Sequence, residues 1–296
     1  MKLYHFAIFW LALGMSVSGA ESESPVIARE TIAAAERGEA DAQFQLARAS
    51  QRGEGVPKDV NKAFGLMKLA AEQGHADAIG GLGYFYSVGV AVEKDDKQAL
   101  EWFRKGAEKG SAKAQLNLGR WLLDGKAGSE GDAEKRLEEG LQWLKKAVDQ
   151  GLAEANLSYG MIHYFGDHGV AQDYGKAVPC FKLAAAHGLR DAQNFLGVMN
   201  EMGLGMPADT AAAQQWYRKA ALQGHLRAQA NLGILLNPLA ENKATRIEAL
   251  AWLVLASDQN EITAEKSLQD VMLGLKAGEL DEARKRAAEL RKLIRP

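Results

Sequence analysis

The stretch AQFQLARASQRGEGVPKDVNKAFGLMKLAAEQG, residues 42–74, is followed 36 residues on, in the same frame and without a gap, by AIGGLGYFYSVGVAVEKDDKQALEWFRKGAEKG, residues 78–110. The frame continues along the chain. Gly38, Gly74, Gly110, Gly151, Gly188 and Gly224 share one phase, with spacings of 36, 36, 41, 37 and 36, and Asn260 falls a further 36 on. Asn is the commonest substitute for Gly where a helix ends in a left-handed residue, so one backbone conformation is predicted at every one of these positions. A second phase carries Leu66, Trp102, Trp143, Cys180, Trp216 and Trp252 and is expected to face the core. A third, seven residues earlier, carries Asp59, Asp95, Asp173, Asp209 and Thr245, side chains that accept a hydrogen bond from a free N–H at a helix start. A fourth, Gly83, Gly119, Gly160, Gly197 and Gly233, falls inside a predicted helix. Gly there costs about 1 kcal/mol relative to Ala, which makes sense if another helix crosses at close range.

Each unit therefore reads as helix A, a Gly-containing loop such as Gly53-Glu54-Gly55-Val56-Pro57, a capped helix B and a Gly turn. One such hairpin cannot bury its apolar face, but stacked copies can, each packing on its neighbours. The predicted fold is all-α: a right-handed superhelical solenoid of helix-turn-helix repeats with capping helices at both ends. Length alone suggests roughly two domains for 296 residues. The unbroken frame replaces that with one array: a linker and capping helix over 21–39, units over 40–75, 76–111, 112–152, 153–189, 190–225 and 226–260, and closing helices over 261–296. In the last of these, Leu280, Ala283, Ala287, Leu290 and Ile294 form a helical stripe. Composition, 47% hydrophobic and 25% charged, is that of a globular protein.

The pattern A-x-x-x-L-G, then G-x-G-V-x-x-D, then K-A-x-x-W-[YF]-x-K-A-A-x-x-G is clearest in Leu196-Gly197, Gly203-Leu204-Gly205, Asp209, Trp216-Tyr217, Lys219-Ala220-Ala221 and Gly224. It resembles the Sel1-like repeat, a relative of the tetratricopeptide repeat, of the exported bacterial type. The resemblance implies an all-α superhelix that binds proteins or peptides, as an adaptor or regulator rather than as a catalyst.

Departures from the pattern are local. The unit ending at Gly151 has five extra residues around Lys126–Gly131, and Arg136 stands where the capping Asp is expected, so Asp132 should start a helix B longer by about a turn. Pro179 falls within a helix B and should kink it or delay its start. Asn237-Pro238 replaces the Gly-x-Gly loop where the array ends.

Residues 1–20 read as a secretory signal: Lys2, an apolar run from Phe6 to Val17, and Ser18-Gly19-Ala20 before a cleavage that leaves Glu21 first. The run is short of the roughly 20 residues that cross a bilayer as a helix, so no stable span is expected after cleavage. The expected location is periplasmic or secreted. Cys180 is the only Cys, and its repeat phase argues for burial rather than reactivity.

The chemistry-bearing residues form no catalytic set. His75 and His225 share a repeat phase and read as turn residues; His163 and His168 lack a third ligand at metal spacing. No G-x-S-x-G, H-E-x-x-H or C-x-x-C occurs, and the Gly-x-Gly loops lack the strand of a dinucleotide site. No catalytic residue, cofactor or metal is expected. Formal charge is −2, and −3 without the signal (35 − 38), which removes the global basic excess that drives nucleic-acid binding. Arg284, Lys285, Arg286, Arg291, Lys292 and Arg295 make a local basic cluster in the last helix.

The informative variation lies on helix A. The third, sixth and tenth residues after the repeat Ala are Gln45, Arg48 and Arg52, then Gly81, Tyr84 and Val88, then Asn117, Arg120 and Asp124, then Ser158, Met161 and Phe165, then Phe195, Val198 and Met202. The stripe passes from polar and basic to apolar, as a partner-binding surface does. Arg48, Tyr84, Asn117, Arg120, Phe165, Phe195 and Met202 are the candidate partner contacts. The expected function is that of an exported, non-catalytic scaffold holding a protein or peptide on its concave face. Alternatives are a hydrolase of cell-wall or β-lactam-type substrates, and a secreted host-interacting or adhesin-like factor.

Overall fold

A computed structural model describes residues 27–126, 132–237, 242–272 and 274–294. The signal segment, most of the 126–131 insertion, Pro238 and Arg295 lie outside those residues. The described residues form fifteen α-helices and no strand. α1 (Arg29–Glu36) opens the array. The A helices are α2 (Ala40–Arg52), α4 (Ala76–Val88), α6 (Ala112–Leu123), α8 (Ala153–Phe165), α10 (Arg190–Met202) and α12 (Leu226–Leu236). The B helices alternate with them: α3 (Val60–Glu72), α5 (Asp96–Glu108), α7 (Ala133–Asp149), α9 (Tyr174–Ala186), α11 (Thr210–Leu222) and α13 (Lys243–Ser257). α14 (Ile262–Met272) and α15 (Glu279–Leu293) close the far end. Each helix from α1 to α14 packs on its sequence neighbours within that run, and α15 packs on α13, which is the connectivity of a solenoid.

The phases of the sequence map onto repeated backbone devices. The six turn glycines have φ between 74° and 92°, and Asn260 has φ 60°. At each, the N–H of the next residue bonds back to a carbonyl five residues earlier, as in His75 N–H to Ala70 O (3.1 Å), His225 N–H to Ala220 O (3.1 Å) and Glu261 N–H to Ala256 O (3.1 Å). The left-handed residue thus satisfies helix-end carbonyls that would otherwise be orphaned. Asp59, Asp95, Asp173 and Asp209 cap their helices through Oδ1, accepting from Lys62, Gln98, Lys176 and Ala212 at 2.9–3.0 Å. Each also donates its own N–H to the end of the preceding A helix, at Ser50, Tyr86, His163 and Asn200 O.

Two of the departures resolve cleanly. Asp132 starts α7, which has 17 residues against 13 in α5 and α9. With the capping Asp gone, Arg136 reaches across from inside α7 and donates from Nε to Leu122 O at 3.0 Å. Leu122 is the α6 counterpart of Ser50 and Tyr86, so a side chain replaces the backbone tie. Thr245, in contrast, does not cap α13. Asn242, three residues earlier, accepts from Thr245 N–H at 3.0 Å, because α13 begins about a turn sooner than the repeat frame implies. Pro179 is carried inside α9 without delaying its start, which stays at the Asp173 cap.

The core follows the fourth phase. A β-carbon on Gly83 would lie 2.6 Å from Phe103 Cδ1, one on Gly160 2.8 Å from Phe181 Cε1, and one on Gly233 2.7 Å from Leu253 Cγ. These distances are closer than non-bonded carbons approach, so glycine in helix A is the notch into which helix B inserts a large side chain. The inserted residue follows the tryptophan phase by one. Met67, Phe103, Leu144, Phe181, Tyr217 and Leu253 are buried, whereas Leu66, Trp102, Trp143 and Trp216 are only half-buried. The expectation that the tryptophan phase faces the core is thereby corrected by one residue. Those indoles lie beside the core and carry a lysine one turn on: Lys105 over Trp102 (4.6 Å), Lys146 over Trp143 (3.7 Å) and Lys219 over Trp216 (4.3 Å). Trp252 is fully buried because α14 and α15 cover α13. Cys180 is buried, and burial pushes its thiol pKa up.

The closing helix α15 docks by the stripe read in sequence, with Ala283, Ala287 and Leu290 buried and Leu280 and Ile294 packed beside them. Ion pairs flank it: Lys243–Glu282 (2.7 Å), Arg286–Glu248 (3.4 Å) and Arg246–Glu279 (2.5 Å). The Glu279 carboxyl also accepts Lys276 N–H at 3.0 Å, and Arg246 first among its partners holds it below the usual carboxylate range.

Candidate interaction surface

Successive A helices approach one another, α4 on α6 and α10 on α12, more closely than any successive B helices do. A stack curves toward the helices that converge, so at these two of the five junctions the A helices lie on the inner side. The close approach has a cause in sequence. Gly80 of α4 meets Ala114 of α6, and a β-carbon there would lie 2.7 Å from the Ala114 Cβ.

Two polar ladders hold the A helices in register, and neither was read from sequence. At the helix starts, the N-cap side chains His75, Ser111 and His225 each accept a backbone N–H, from Ala78, Ala114 and Ala228, at 3.0–3.2 Å. The other ring nitrogen of each histidine, and the hydroxyl proton of Ser111, engage the acidic residue at the start of the preceding A helix: His75–Asp41 (3.3 Å), Ser111–Asp77 (2.5 Å) and His225–Asp191 (3.1 Å). His225 is the main reason the Asp191 carboxyl lies below its ordinary value. Deeper in, buried glutamines link units. Gln115, Gln193 and Gln229 donate to Ala107, Ala185 and Ala221 O, while Gln73, Gln150 and Gln223 donate to Gln43, Gln115 and Gln193 Oε1 at 2.7–2.8 Å. The signal was present as a glutamine recurring one residue after the repeat Ala and again just before the turn Gly.

The candidate contacts divide into two groups. In the first units, Arg48 of α2 is half-buried, with its guanidinium carbon 5.8 Å from the Phe44 ring centroid. Burial lowers its pKa, and Arg52 adds to the effect. Tyr84 of α4 is half-buried, edge-on to Phe85 at 6.2 Å. Asn117 of α6 is half-buried. Arg120, one turn on, reaches the next unit, where its Nε and Nη2 donate to Ser158 Oγ at 3.0 and 2.5 Å. Lys113, which sequence reading passed over, sits at the start of α6, close enough to Arg48 and Arg52 of α2 for their charges to oppose its own. Arg120 and Lys113 are solvent-accessible, yet desolvation is the largest influence lowering both pKa values. Side chains lining a concavity have that combination.

The second group is apolar. Phe165 at the end of α8 is 53% exposed and Met202 at the end of α10 is 67% exposed. Phe195, half-buried between them, stacks on Phe181 (centroids 4.7 Å, planes 3° apart) and meets Tyr164 at 5.1 Å and Phe165 at 5.9 Å. Phe165 thus crowns a web of rings that fixes its position, and Met202 ends the neighbouring A helix in the open. The structure brings Phe165 to Phe195 and Arg120 to Ser158, on the same face as Phe165; it leaves Arg48 and Tyr84 toward the opposite end of the array.

Among the described residues, no three His, Cys, Asp or Glu side chains gather as metal ligands would, and no helix is long and apolar enough to cross a membrane. His163 is buried, stacks edge-on against Tyr159 at 4.6 Å, and has no hydrogen-bond partner on either ring nitrogen.

Comparison with known proteins agrees with this architecture. The Sel1 repeat model matches residues 40–75, 76–111, 112–152, 153–189 and 190–225. The crystal structure of a Sel1 repeat protein from Oxalobacter formigenes superposes with a TM-score of 0.65 at 29% identity, covering 75% of this chain and 89% of that one. A protective antigen present in uropathogenic Escherichia coli strains and displaying an SLR fold aligns over 89% of this chain and 71% of its own, at 24% identity and a TM-score of 0.46. A curated but uncharacterized protein of Neisseria meningitidis serogroup B is 33% identical over 106 residues, 36% of this chain; the match spans only 22% of that protein's length. Sel1 repeats mediate protein–protein interaction in general, and five of them in register leave one assignment: this chain belongs to the Sel1 repeat family.

Proposed function

We propose that this protein is an exported, non-catalytic scaffold that holds a segment of a protein partner along the inner face of its A helices. The observation that carries the reading is the exposed Phe165, packed edge-on against Phe195 in a cluster of rings, with the exposed Met202 at the end of the next A helix. Large apolar side chains held in the open by packed neighbours are the usual form of a contact surface. The signal-like residues 1–20 support export, and the absence of a catalytic constellation in the sequence supports a binding role.

Photo-crosslinking tests both parts. A benzophenone side chain is placed at Val198 on the inner stripe or at Lys182 on α9, and intact cells are irradiated and then fractionated. Adducts formed from position 198 and not from 182, in the envelope or the medium and on a chain beginning at Glu21, are the expected result. Equal labelling from the two positions sinks the inner-face reading; a chain retaining Met1 in the cytoplasm sinks export.

A further inference from the structure

Resting on that reading of the inner face, we propose the chemistry of the segment it holds: an extended stretch of polypeptide with a carboxylate about three residues from an aromatic or large aliphatic side chain. The carboxylate lies on Arg120, and the apolar side chain on the shelf of Phe165, Phe195 and Met202.

The cation is uncompensated. Arg120 spends Nε and Nη2 on Ser158, and its Nη1 has no hydrogen-bond partner among the described residues. The two carboxylates that act on it are Asp124 and Glu154, and their attraction does not offset its desolvation. Asp124 is engaged by Lys126 at 3.7 Å, and Glu154 is shared with Lys113. Along this part of the inner face, Arg48, Lys113 and Arg120 make no ion pair among the described residues; of the four carboxylates that act on them, Glu54 is paired with Arg52 and Asp124 with Lys126, which leaves Asp77 and Glu154 for three cations. Asp77 accepts the Ser111 hydroxyl. One positive charge is left over, in a concavity where an ion pair is worth more than on open surface and where guanidinium favours carboxylate.

The apolar half is placed by the same hydrogen bond. Ser158, Met161 and Phe165 share one stripe of α8, so the residue that Arg120 grips leads directly to the shelf. From Ser158 to Phe165 is about 10 Å along the helix axis, the reach of about three residues of extended chain. Charge therefore sets the direction in which the segment lies, carboxylate toward α6 and apolar side chain toward α10.

Panning a random linear peptide library on the chain from Glu21 onward tests this, with R120Q and Phe165→Ser run in parallel and circular dichroism confirming that both variants are folded. Enriched peptides should carry Asp or Glu about three positions from Phe, Trp, Leu or Met. They should bind R120Q roughly tenfold more weakly, with the acidic preference gone from its own selection, and should lose affinity as salt rises. Peptides that need Phe165 but show no acidic preference and bind R120Q unchanged overturn the proposed chemistry and leave the inner-face reading standing. No enrichment, or peptides indifferent to both variants, overturns both. A dimer in light scattering that Phe165→Ser converts to monomer means that a second copy occupies the shelf, which also overturns the proposal.

Discussion

The ring of Tyr217 in α11 lies flat on Gly197 of α10, in the volume that any β-carbon there would fill. The same relationship joins Phe103 to Gly83 and Phe181 to Gly160, so helix A and helix B of a unit are held by a notch and an inserted ring. Gly197→Ala gains about 1 kcal/mol of helix propensity but forces the ring and the Tyr217–Glu201 hydrogen bond (2.6 Å) out of place, at a cost of about 1–3 kcal/mol or more. The expected net effect is destabilisation of up to about 2 kcal/mol in urea unfolding. A stabilised variant means that the ring can move aside and the notch is not a constraint.

The neighbouring pair Trp216 and Tyr217 separates the two phases that sequence reading conflated. Tyr217 is 1% exposed; Trp216 is half-buried beneath Lys219. Tyr217→Ala should therefore cost about 3–5 kcal/mol and Trp216→Ala roughly half of that or less. Equal losses restore the tryptophan to the core and require another role for the glycine notch.

How far the sequence carried the fold depends on which force left a periodic trace. Left-handed turns admit Gly or Asn and nearly nothing else, so Gly38 through Asn260 were readable with their φ sign. Carboxylate caps were readable where the helix start kept its phase; Asn242 was not, because α13 starts about a turn early. The core ring was misread because Trp is the most recognisable residue in the unit, while the side chain that enters the notch changes from Met67 to Phe103 to Leu144. The site was legible only as a stripe. That Phe195 meets Phe165, and that Arg120 grips Ser158, depends on the angle between successive units, which no spacing within one unit encodes.

Arg136 offers a test of how a broken phase is repaired. Its Nε donates to the Leu122 carbonyl in place of the backbone N–H that Asp59, Asp95, Asp173 and Asp209 supply elsewhere. Arg136→Met keeps the stem and deletes the donor, and should destabilise by about 1 kcal/mol. Hydrogen exchange should quicken at the end of α6 and the start of α7, and not in α10 and α11. Unchanged protection there shows that the 17-residue α7 holds α6 without the tie.

His163 gives the array a pH dependence whose sign can be worked out. Burial, with Lys176 nearby, lowers its pKa below the ordinary histidine value, against a smaller pull from Asp173 in the other direction. Both ring nitrogens lack partners, so no hydrogen bond stabilises the imidazolium. The folded chain therefore binds fewer protons here than the unfolded chain does. Its contribution to stability is complete above the unfolded pKa of about 6.5 and falls as pH drops below that, toward the lowered folded value. The equivalent positions in α6 and α12 are Leu122 and Leu236, both buried, so His163→Leu is a substitution that the repeat already accommodates. Urea midpoints at pH 8 and pH 5 should show wild type losing stability between the two by more than H163L does, with the variant the more stable of the pair at pH 5. Parallel losses in both proteins place the acid sensitivity elsewhere, in carboxylates such as Asp191 that titrate lower, and mean that His163 takes up its proton alike in the folded and unfolded chains.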